Sequence, residues 1–246
     1  MSDPGRAERS RSFETVAADY ERHRPDYPED AIRWAVNELG LGSGARVLDL
    51  GAGTGKLTRG LVALGLQVVA VEPGAAMLEQ LRRGVPQAEA HEGSAESIPL
   101  EDASVDAGFA AQAFHWFDRA RALADLHRVI SPGGGLALLW NWWDDRDPLQ
   151  RELGPVVGFE GHRPYAEEEL PGAPWFRERG RTAVDTVEES SPDALVSHLA
   201  TTSMFLTMEP AERERRLDEV RSIALRYGER FRLPRITFAF AFERLS

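Results

Sequence analysis

The feature that most constrains the fold is a short apolar run followed by a glycine-rich turn and a helix. Val47 to Leu50 is typical of a buried strand, and Lys56 to Gly65 then carries leucines at helical spacing. Gly51, Gly53 and Gly55 occupy the turn between them. Glycine tolerates positive φ and lets a ligand lie against the backbone, and the amides that open the helix can donate to a negatively charged group. We therefore expect a binding site for a nucleotide-sized ligand at this turn.

The spacing of the glycines distinguishes three kinds of nucleotide site. A phosphate-binding P-loop needs G-x-x-x-x-G-K-[ST], but Leu50 and Leu57 stand where the first glycine and the hydroxyl residue should be. The dinucleotide fingerprint needs G-x-G-x-x-G, and here Lys56 takes the place of the third glycine. Neither pattern fits. What remains is D-x-G-x-G-x-G, from Asp49 to Gly55.

This pattern resembles the first motif of the class I S-adenosylmethionine-dependent methyltransferases. In that family the acidic residue, here Asp49, holds the methionine amino group, and the glycine turn passes under the methionine and ribose. A second acid follows at the spacing of a dinucleotide fold: Glu72, at the end of a predicted strand from Val68, lies 21 residues after Gly51. It is expected to accept hydrogen bonds from ribose hydroxyls.

Composition excludes several classes of function. The 246 residues suit one α/β domain, and the net charge of -11 argues against a nucleic-acid partner, since phosphate binding needs clustered Lys and Arg. The absence of cysteine excludes disulfides, a thiolate nucleophile and Cys-based zinc sites, and is consistent with a cytoplasmic protein. No apolar run reaches the roughly 20 residues of a membrane helix, and no signal peptide is recognisable, so no membrane partner is expected. We expect a monomer or homodimer without a metal.

The N-terminal segment, residues 1–27, is predicted to be a lid. Phe13, Ala17, Tyr20 and Arg24 share one helical face, and an Arg on an apolar face needs an anionic partner. The alternative is an amphipathic helix that covers the edge of the sheet. The pattern F-x-x-x-A-x-x-Y-x-x-x-R-P-x-Y-P resembles the N-terminal segment of the trans-aconitate-methyltransferase-like subgroup, which lies over the cofactor; it also nominates Tyr27.

The fourth predicted strand, Ala107 to Ala111, delivers a mixed aromatic and polar cluster to the carboxyl edge of the sheet, where open α/β sheets bind ligands. Two interpretations of His115 stay open: a general base or substrate partner, or a histidine satisfied in a hydrophobic corner. Trp116 and Phe117 could form an aromatic wall near the sulfonium, a contact of about 0.5–2 kcal/mol. The A-x-x-x-H-W-F pattern again resembles the same subgroup. The residues 111–114 lack the [DN]-P-P-[YFW] motif of methyltransferases that act on DNA amines.

Residues 142–181 show little periodicity and are predicted to form a substrate-cap insertion lined by Trp142 and Trp143, with Tyr165 or Trp175 as further candidates. Residues 182–246 contain a predicted sixth strand, two helices and an alternating terminal strand. Between the helices, Ser203 lies in a stretch that resembles the subgroup's T-x-S loop; an ordinary helix connection is the alternative.

The resemblance implies a single domain, with a core at 28–141, and an α/β fold: a Rossmann-like, open, mostly parallel seven-stranded sheet with helices on both faces. It implies S-adenosylmethionine as cofactor. The predicted cofactor-binding residues are Tyr20, Arg24, Asp49, Gly51, Ala52, Gly53, Gly55, Glu72, Pro73, Met77, Ser94, Ala95, Glu96, Ala111, Gln112, Phe114 and Trp116. Met77 could equally be a core residue.

The expected reaction is in-line transfer of the methyl group to a carboxylate or hydroxyl of a small-molecule acceptor, in which alignment supplies most of the catalysis. A carboxylate, with a pKa near 4, needs no base, and Arg24 would orient it. A phenol, amine or activated carbon would need a base, for which His115 is the candidate. The alternatives are a C-methyltransferase of a quinone or sterol-like acceptor, a non-catalytic S-adenosylmethionine-binding protein, and a nicotinamide-dependent oxidoreductase.

Overall fold

The computed structural model describes residues 17–158 and 170–246. Phe13 and Tyr165, named above, lie outside these residues. The strands are β1 Arg46–Leu50, β2 Gln67–Glu72, β3 Glu89–Glu92, β4 Val105–Ala111, β5 Ile130–Trp143, β6 Phe176–Ser190 and β7 Phe231–Arg244. The helices are α1 Ala17–His23, α2 Glu29–Glu38, α3 Lys56–Ala63, α4 Ala75–Gly84, α5 Arg119–Val129, α6 Pro148–Val157, α7 Pro192–Ala200, α8 Ser203–Leu206 and α9 Pro210–Leu225, with a 3-10 turn at Phe114–Trp116.

All seven strands form one sheet in the order β3-β2-β1-β4-β5-β7-β6. β1 to β5 run parallel to one another, whereas β7 is antiparallel to both of its neighbours, β5 and β6. After β1 the chain forms β2 and then β3 on one side of β1, and it then crosses back to form β4 on the other side of β1. The strand order therefore reverses beside β1, and the carboxyl ends of β1 and β4 open a crevice there, which is where such sheets bind ligands. The predicted α/β fold class is confirmed.

The sheet is covered on both faces because its central strands are apolar on both faces. In β1, Val47 packs into a core with Ile32 of α2 and Leu61 of α3, while the adjacent Leu48 packs into a second core with Leu126 of α5. Successive residues of a strand point to opposite faces, so this division places α2 and α3 on one face and α5 on the other. Continuous apolar runs of this kind are typical of parallel strands buried on both faces.

A separate apolar cluster joins the helices that follow β5. It contains Leu153 of α6, Leu199 of α7, Phe205 of α8 and Val220 of α9, all fully buried. These four helices, α6 to α9, are called the helical cap below. Asp147 and Ser191 cap the first turns of α6 and α7, each accepting a hydrogen bond from a backbone amide three residues on.

The prediction of little regular structure over residues 142–181 was wrong where the chain is described. β5 continues to Trp143, α6 follows, and β6 begins at Phe176. The cause is long-range pairing: β5 is extended by an antiparallel ladder with β7, in which Trp143 lies opposite Arg235. Trp175 packs against His127, with ring centroids 5.0 Å apart, and is not a cap residue.

The stretch from Thr201 to Phe205, for which a loop near the substrate and an ordinary helix connection were both expected, runs into the short helix α8. Among the described residues, no helix has both the length and the apolar character needed to cross a membrane.

Candidate active site

A cavity of about 680 Å³ opens at the carboxyl edge of the sheet, beside β1 and β4. Its volume is in the usual range of small-molecule sites, about 300–1,000 Å³. The structure brings most of the predicted site residues to this one cavity. Those that line it are Tyr20, Arg24, Tyr27, Asp49, Gly51, Ala52, Gly53, Glu72, Pro73, Met77, Ser94, Ala95, Glu96, Ala111, Gln112, His115, Trp116, Phe117, Trp142, Trp143 and Ser203.

Two of the predicted cofactor residues, Gly55 and Phe114, do not line the cavity. Gly55 precedes α3 with φ +88°, and a Cβ there would lie 3.0 Å from the side chain of Leu81, so its role is to let the chain turn into the helix. Phe114 is 2% exposed and packs edge-on against Phe117, with centroids 5.8 Å apart. The 3-10 turn directs its ring into the core, whereas His115 and Trp116 line the cavity.

The glycine turn leaves open space at one position and closes it at another. Gly51 and Gly53 have φ of +68° and +58°, in the left-handed region that favours glycine. A Cβ on Gly51 would lie 2.7 Å from the Cβ of Ala113, whereas a Cβ on Gly53 would meet nothing within 4 Å. Gly51 is therefore required by packing, and Gly53 leaves a cradle along the cavity wall.

Asp49 is the penultimate residue of β1, and its side chain lines the cavity. The residue is 1% exposed, and its Oδ2 accepts a hydrogen bond of 2.6 Å from Thr58 Oγ1. Oδ1 is buried and has no hydrogen-bond partner among the described residues. Burial raises the pKa of Asp49 to about 7, the nearby Glu72 adds to this, and the Thr58 hydrogen bond opposes it. A buried carboxylate with one unsatisfied oxygen fits a cationic ligand group such as an ammonium.

Glu72 ends β2 and braces the glycine turn. Its Oε2 accepts from the Gly53 amide at 2.9 Å, and its Oε1 accepts from the Gly74 amide at 2.8 Å. Each carboxylate oxygen can accept a further hydrogen bond, so the acid can hold the turn and still bind a ligand hydroxyl. Nearby, the hydroxyl of Thr54 is buried, lines the same cavity and has no hydrogen-bond partner among the described residues. Sequence reasoning missed Thr54, which occupies a variable position of the glycine motif.

The described part of the predicted lid is tied to the start of α3 by ion pairs. Lys56 Nζ lies 3.0 Å from Asp26 Oδ1, and Arg59 Nη2 lies 2.7 Å from Glu21 Oε1. Lys56 is only 10% exposed. The segment that contains Tyr20 and Arg24 therefore lies directly over the glycine turn.

Arg24 joins this segment to the helical cap. Its Nε and Nη2 donate to the side-chain and main-chain oxygens of Thr201, at 3.1 and 3.0 Å, and its guanidinium lies 5.1 Å from the ring centroid of Tyr20. Burial lowers the pKa of Arg24. No carboxylate forms an ion pair with Arg24 among the described residues. The part of the chain that the structure describes thus supplies no counter-ion for this cation in the cavity wall.

His115 is oriented by a residue of the neighbouring strand. Trp140 Nε1, on β5, donates to His115 Nδ1 at 3.4 Å, and the Trp116 ring lies 4.6 Å from the His115 ring. An indole N–H can only donate, so Nδ1 must be the acceptor and the neutral imidazole carries its proton on Nε2. His115 therefore offers a donor, and not a lone pair, from Nε2.

Further residues of the wall come from distant parts of the chain. Arg235 of β7 and His198 of α7 both line the cavity, as do Asn141 and Thr202. Sequence reasoning missed Arg235 and His198 because neither lies in a recognised motif; the only signal was that Arg235 is a charged residue next to the alternating terminal strand. Burial and the nearby Arg235 and Arg24 hold the pKa of His198 well below its usual value. Among the described residues, no group of three or more metal-binding side chains is positioned to hold an ion.

Comparisons with known proteins agree with this site. The family described as Methyltransferase domain matches residues 48–138, which contain the glycine turn, Glu72 and His115. An uncharacterized methyltransferase of Mycobacterium bovis is 43% identical over 94% of this chain and 95% of its own length. A malonyl-[acyl-carrier protein] O-methyltransferase of Methylococcus capsulatus is 43% identical over 38% of this chain and 36% of its own length.

Among solved structures, a proposed type II methyltransferase of Anaeromyxobacter dehalogenans superposes with a TM-score of 0.68 at 28% identity, covering 90% of this chain and 97% of its own. The chain belongs to the class I S-adenosylmethionine-dependent methyltransferases.

Proposed function

We propose that the protein transfers the methyl group of S-adenosylmethionine to a carboxylate oxygen of a small-molecule acid, and that the acceptor lies between the glycine turn and the helical cap. The trans-aconitate-like subgroup suggested by the sequence patterns is part of this proposal. The acceptor is also proposed to be a small molecule and not a nucleic acid, because a protein with a net charge of -11 repels a polyanion.

The observation that carries the proposal is the hydrogen bond from Trp140 to His115. A hydroxyl, amine or carbon acceptor must lose a proton, and His115 lines the cavity as the expected base. Its Nδ1 is taken by Trp140 Nε1, and its Nε2 carries the proton. A carboxylate is already ionised at neutral pH and needs only a donor to orient it. The geometry of His115 thus favours a carboxylate over the hydroxyl alternative.

The residues of the glycine turn fit the cofactor at its charged and polar groups. Asp49 Oδ1, which is buried and has no hydrogen-bond partner in residues 17–158 and 170–246, would hold the amino group, and Glu72 would hold ribose hydroxyls. When bound, S-adenosylmethionine supplies an activated methyl group on a cationic sulfur. Trp116 lines the cavity and can lie against this cation.

The chain's own contribution to the transfer is alignment and exclusion of water. Nε2–H of His115 and the guanidinium of Arg24 would hold the acceptor carboxylate, and the lid and cap would shield it from solvent. In the transfer, an acceptor oxygen forms a bond to the methyl carbon as the carbon–sulfur bond breaks and its electron pair goes to sulfur. The products are a methyl ester and S-adenosylhomocysteine. No proton transfer is required.

The experiment is an assay with methyl-labelled S-adenosylmethionine and a panel of small carboxylic acids, phenols and quinols, with products identified by mass spectrometry. The expected product loses its label on mild alkaline hydrolysis, as methyl esters do. Label that survives alkali in a phenol or quinol product would show O-methylation of a hydroxyl or C-methylation and would refute the proposal. Binding of S-adenosylhomocysteine without turnover of any acceptor would favour the non-catalytic alternative.

A further inference from the structure

One edge of the sheet is formed by β6, the longest of the described strands, and this edge is open. β6 has 15 residues, against the usual five or six or so, and in the described part of the chain β7 is the one strand that pairs with it. The outer side of β6 therefore presents a row of unpaired backbone N–H and C=O groups. Natural edge strands are commonly protected from association by lysine or proline, and β6 contains neither.

The regular part of this edge runs from Gly180 to Ser190. A bulge at Arg179 interrupts the pairing with β7, where the register shifts between Glu178 and Gly180. Beyond the bulge, exposed side chains alternate with half-buried ones, and the exposed series consists of Arg181, Ala183, Asp185, Val187 and Glu189. The side chains of Arg181 and Asp185 are 42% and 61% exposed. The open edge thus carries an accessible row of charges.

The charges of this row change sign at Ala183. Arginines, the last of them Arg181, occupy alternate positions before Ala183, and two acids, Asp185 and Glu189, follow it. If two copies of β6 pair antiparallel around a two-fold axis at Ala183, Arg181 of each copy faces Asp185 of the other. Opposite charges at facing positions stabilise an antiparallel pair, and like charges destabilise it. The row is therefore complementary to itself.

The charges also distinguish this register from its neighbours. An axis at Arg181 or Asp185 would set like charges opposite each other. An axis at Thr182 or Val184 would leave Arg181 opposite an uncharged side chain and would bring an acid only against the bulged Arg179. Of these five registers, the axis at Ala183 is the one that faces opposite charges within the regular part of the strand and no like charges.

The half-buried side chains of β6 tolerate the same register. Thr182 would face Val184, and both are β-branched residues that favour strands. Glu178 and Glu188 would meet beyond the regular ladder, but each is already paired within its own chain. Glu178 accepts from Arg181 at 2.7 Å, and Glu188 accepts from Arg235 at 2.8 Å.

We propose that β6 is a dimerisation edge, on which a second copy of the chain pairs antiparallel around a two-fold axis at Ala183. A two-fold interface uses the same surface on both copies, so it requires a self-complementary pattern of this kind. Because two paired strands bury less surface than a standard interface, association is weak and depends on concentration. The inference is independent of the proposed function, since no residue of β6 lines the cavity.

Sedimentation equilibrium tests the charge pairing. The wild type should show a monomer–dimer equilibrium that high salt weakens. Arg181→Glu and Asp185→Arg each set like charges opposite one another, twice in the dimer, and each should weaken it about tenfold or more. The double variant exchanges the two charges and should restore association. Arg215→Glu is the matched control, because Arg215 also pairs with a glutamate three residues before it but lies on α9.

Three results would overturn the dimerisation edge. The first is a wild type that stays monomeric at every concentration, which would leave the charges of β6 to keep other strands away. The second is equal association of the wild type and both single variants. The third is a double variant that binds S-adenosylhomocysteine like the wild type and yet remains as weakly associated as Arg181→Glu.

Single cysteines test the register, because the chain has none of its own. Facing residues of an antiparallel pair have Cα atoms about 4.5–5.5 Å apart, within the range that a disulfide spans. Oxidation of Ala183→Cys should therefore give a covalent dimer. Val187 is also exposed, but in this register the two Val187→Cys thiols would lie about 26 Å apart, so this variant should not cross-link. Equal cross-linking of both variants, or of neither, would overturn the proposed register.

Discussion

Thr58 Oγ1 donates a hydrogen bond of 2.6 Å to Asp49 Oδ2, and both residues are buried. The bond orients the carboxylate so that Oδ2 is satisfied within the protein and Oδ1 is left without a partner in the described structure. Thr58 lies in the first turn of α3 and Asp49 at the end of β1, so the bond spans the glycine turn from strand to helix. A ligand cation therefore meets one fixed oxygen.

This arrangement predicts that cofactor binding depends on pH near neutrality. Burial raises the pKa of Asp49 to about 7, and the ammonium group of S-adenosylhomocysteine needs the ionised form. The affinity should rise with pH and level off above about 7; below it, the affinity should fall by up to about tenfold per pH unit. Calorimetric titration from pH 5.5 to 8.5 measures the effect. Asp49→Asn should bind weakly at every pH; a wild-type affinity constant over this range would contradict the assignment.

The same carboxyl should make the protein less stable as pH rises. In the unfolded chain Asp49 loses its proton near pH 3.8, whereas in the folded protein it keeps the proton up to about pH 7. The folded state thus binds more protons between these values, so the free energy of unfolding contributed by Asp49 decreases as pH rises from about 4 to 7. Urea unfolding of the wild type and Asp49→Asn at pH 5 and 7.5 tests this. The variant should gain stability relative to the wild type at the higher pH.

The two strained glycines of the turn should respond differently to alanine. Gly51→Ala brings a Cβ within 2.7 Å of Ala113 and should lower the free energy of unfolding by about 1–3 kcal/mol, in addition to the roughly 1–2 kcal/mol that the left-handed backbone costs an alanine. The Cβ of Gly53→Ala meets no protein atom within 4 Å, so this variant should lose only the roughly 1–2 kcal/mol that a left-handed backbone costs an alanine. Its methyl group would occupy the cradle, however, and should lower the affinity for S-adenosylhomocysteine. Gly42→Ala, with open space and no positive φ, is the control. Unchanged ligand affinity in Gly53→Ala would count against the cradle.

The cofactor half of the site was predictable because its residues lie next to local patterns. Asp49 and Glu72 end predicted strands, and strand ends of a parallel sheet meet at one edge. The acceptor half was not. Arg235 reaches the cavity only through the antiparallel pairing of β7 with β5, and His198 only through the packing of α7 beside α1, where its Nδ1 meets the main-chain oxygen of His23. A local pattern in the sequence cannot indicate a contact between residues some 90 positions apart. For the same reason Trp142 and Trp143, which were predicted to lie in an irregular cap segment, are found in β5, where they pair with β7.

The ion pairs between the lid and α3 should govern how fast the cofactor leaves. Glu21 pairs with Arg59 and Asp26 with Lys56 over the glycine turn. Such part-exposed pairs contribute about 0.2–1 kcal/mol each, so Glu21→Gln or Asp26→Asn should speed dissociation of S-adenosylhomocysteine about two- to threefold. Stopped-flow displacement at low and high salt measures the rate, and salt should reduce the difference. Glu29→Gln, which breaks a pair within α2, should dissociate like the wild type.

The hydrogen bond from Trp140 to His115 predicts which replacement of the histidine is tolerated. If His115 acts as a donor to an ionised acceptor, His115→Gln keeps an N–H at its tip and should retain most of the rate. His115→Ala should lose about 10- to 100-fold, as expected for a hydrogen bond of about 1.5–3 kcal/mol to a charged group. Neither variant should bind S-adenosylhomocysteine differently from the wild type. An equal loss of rate in His115→Gln and His115→Ala would indicate that His115 acts as a general base and not as a hydrogen-bond donor.

Trp140→Phe tests the origin of this donor. The ring remains packed against Phe240, but the N–H that holds Nδ1 is gone, so His115 can exchange its proton between the two nitrogens. Methyl transfer to a carboxylate should slow about three- to tenfold, the range expected for the loss of one neutral hydrogen bond. In the His115→Gln background, Trp140→Phe should not change the rate, because glutamine has no nitrogen at the position of His115 Nδ1. Trp34→Phe is the matched control, since Trp34 is partly buried and packs against the core on the other face of the sheet. A full double-mutant cycle gives the coupling between the two residues; additive effects would show that Trp140 packs beside His115 without orienting it.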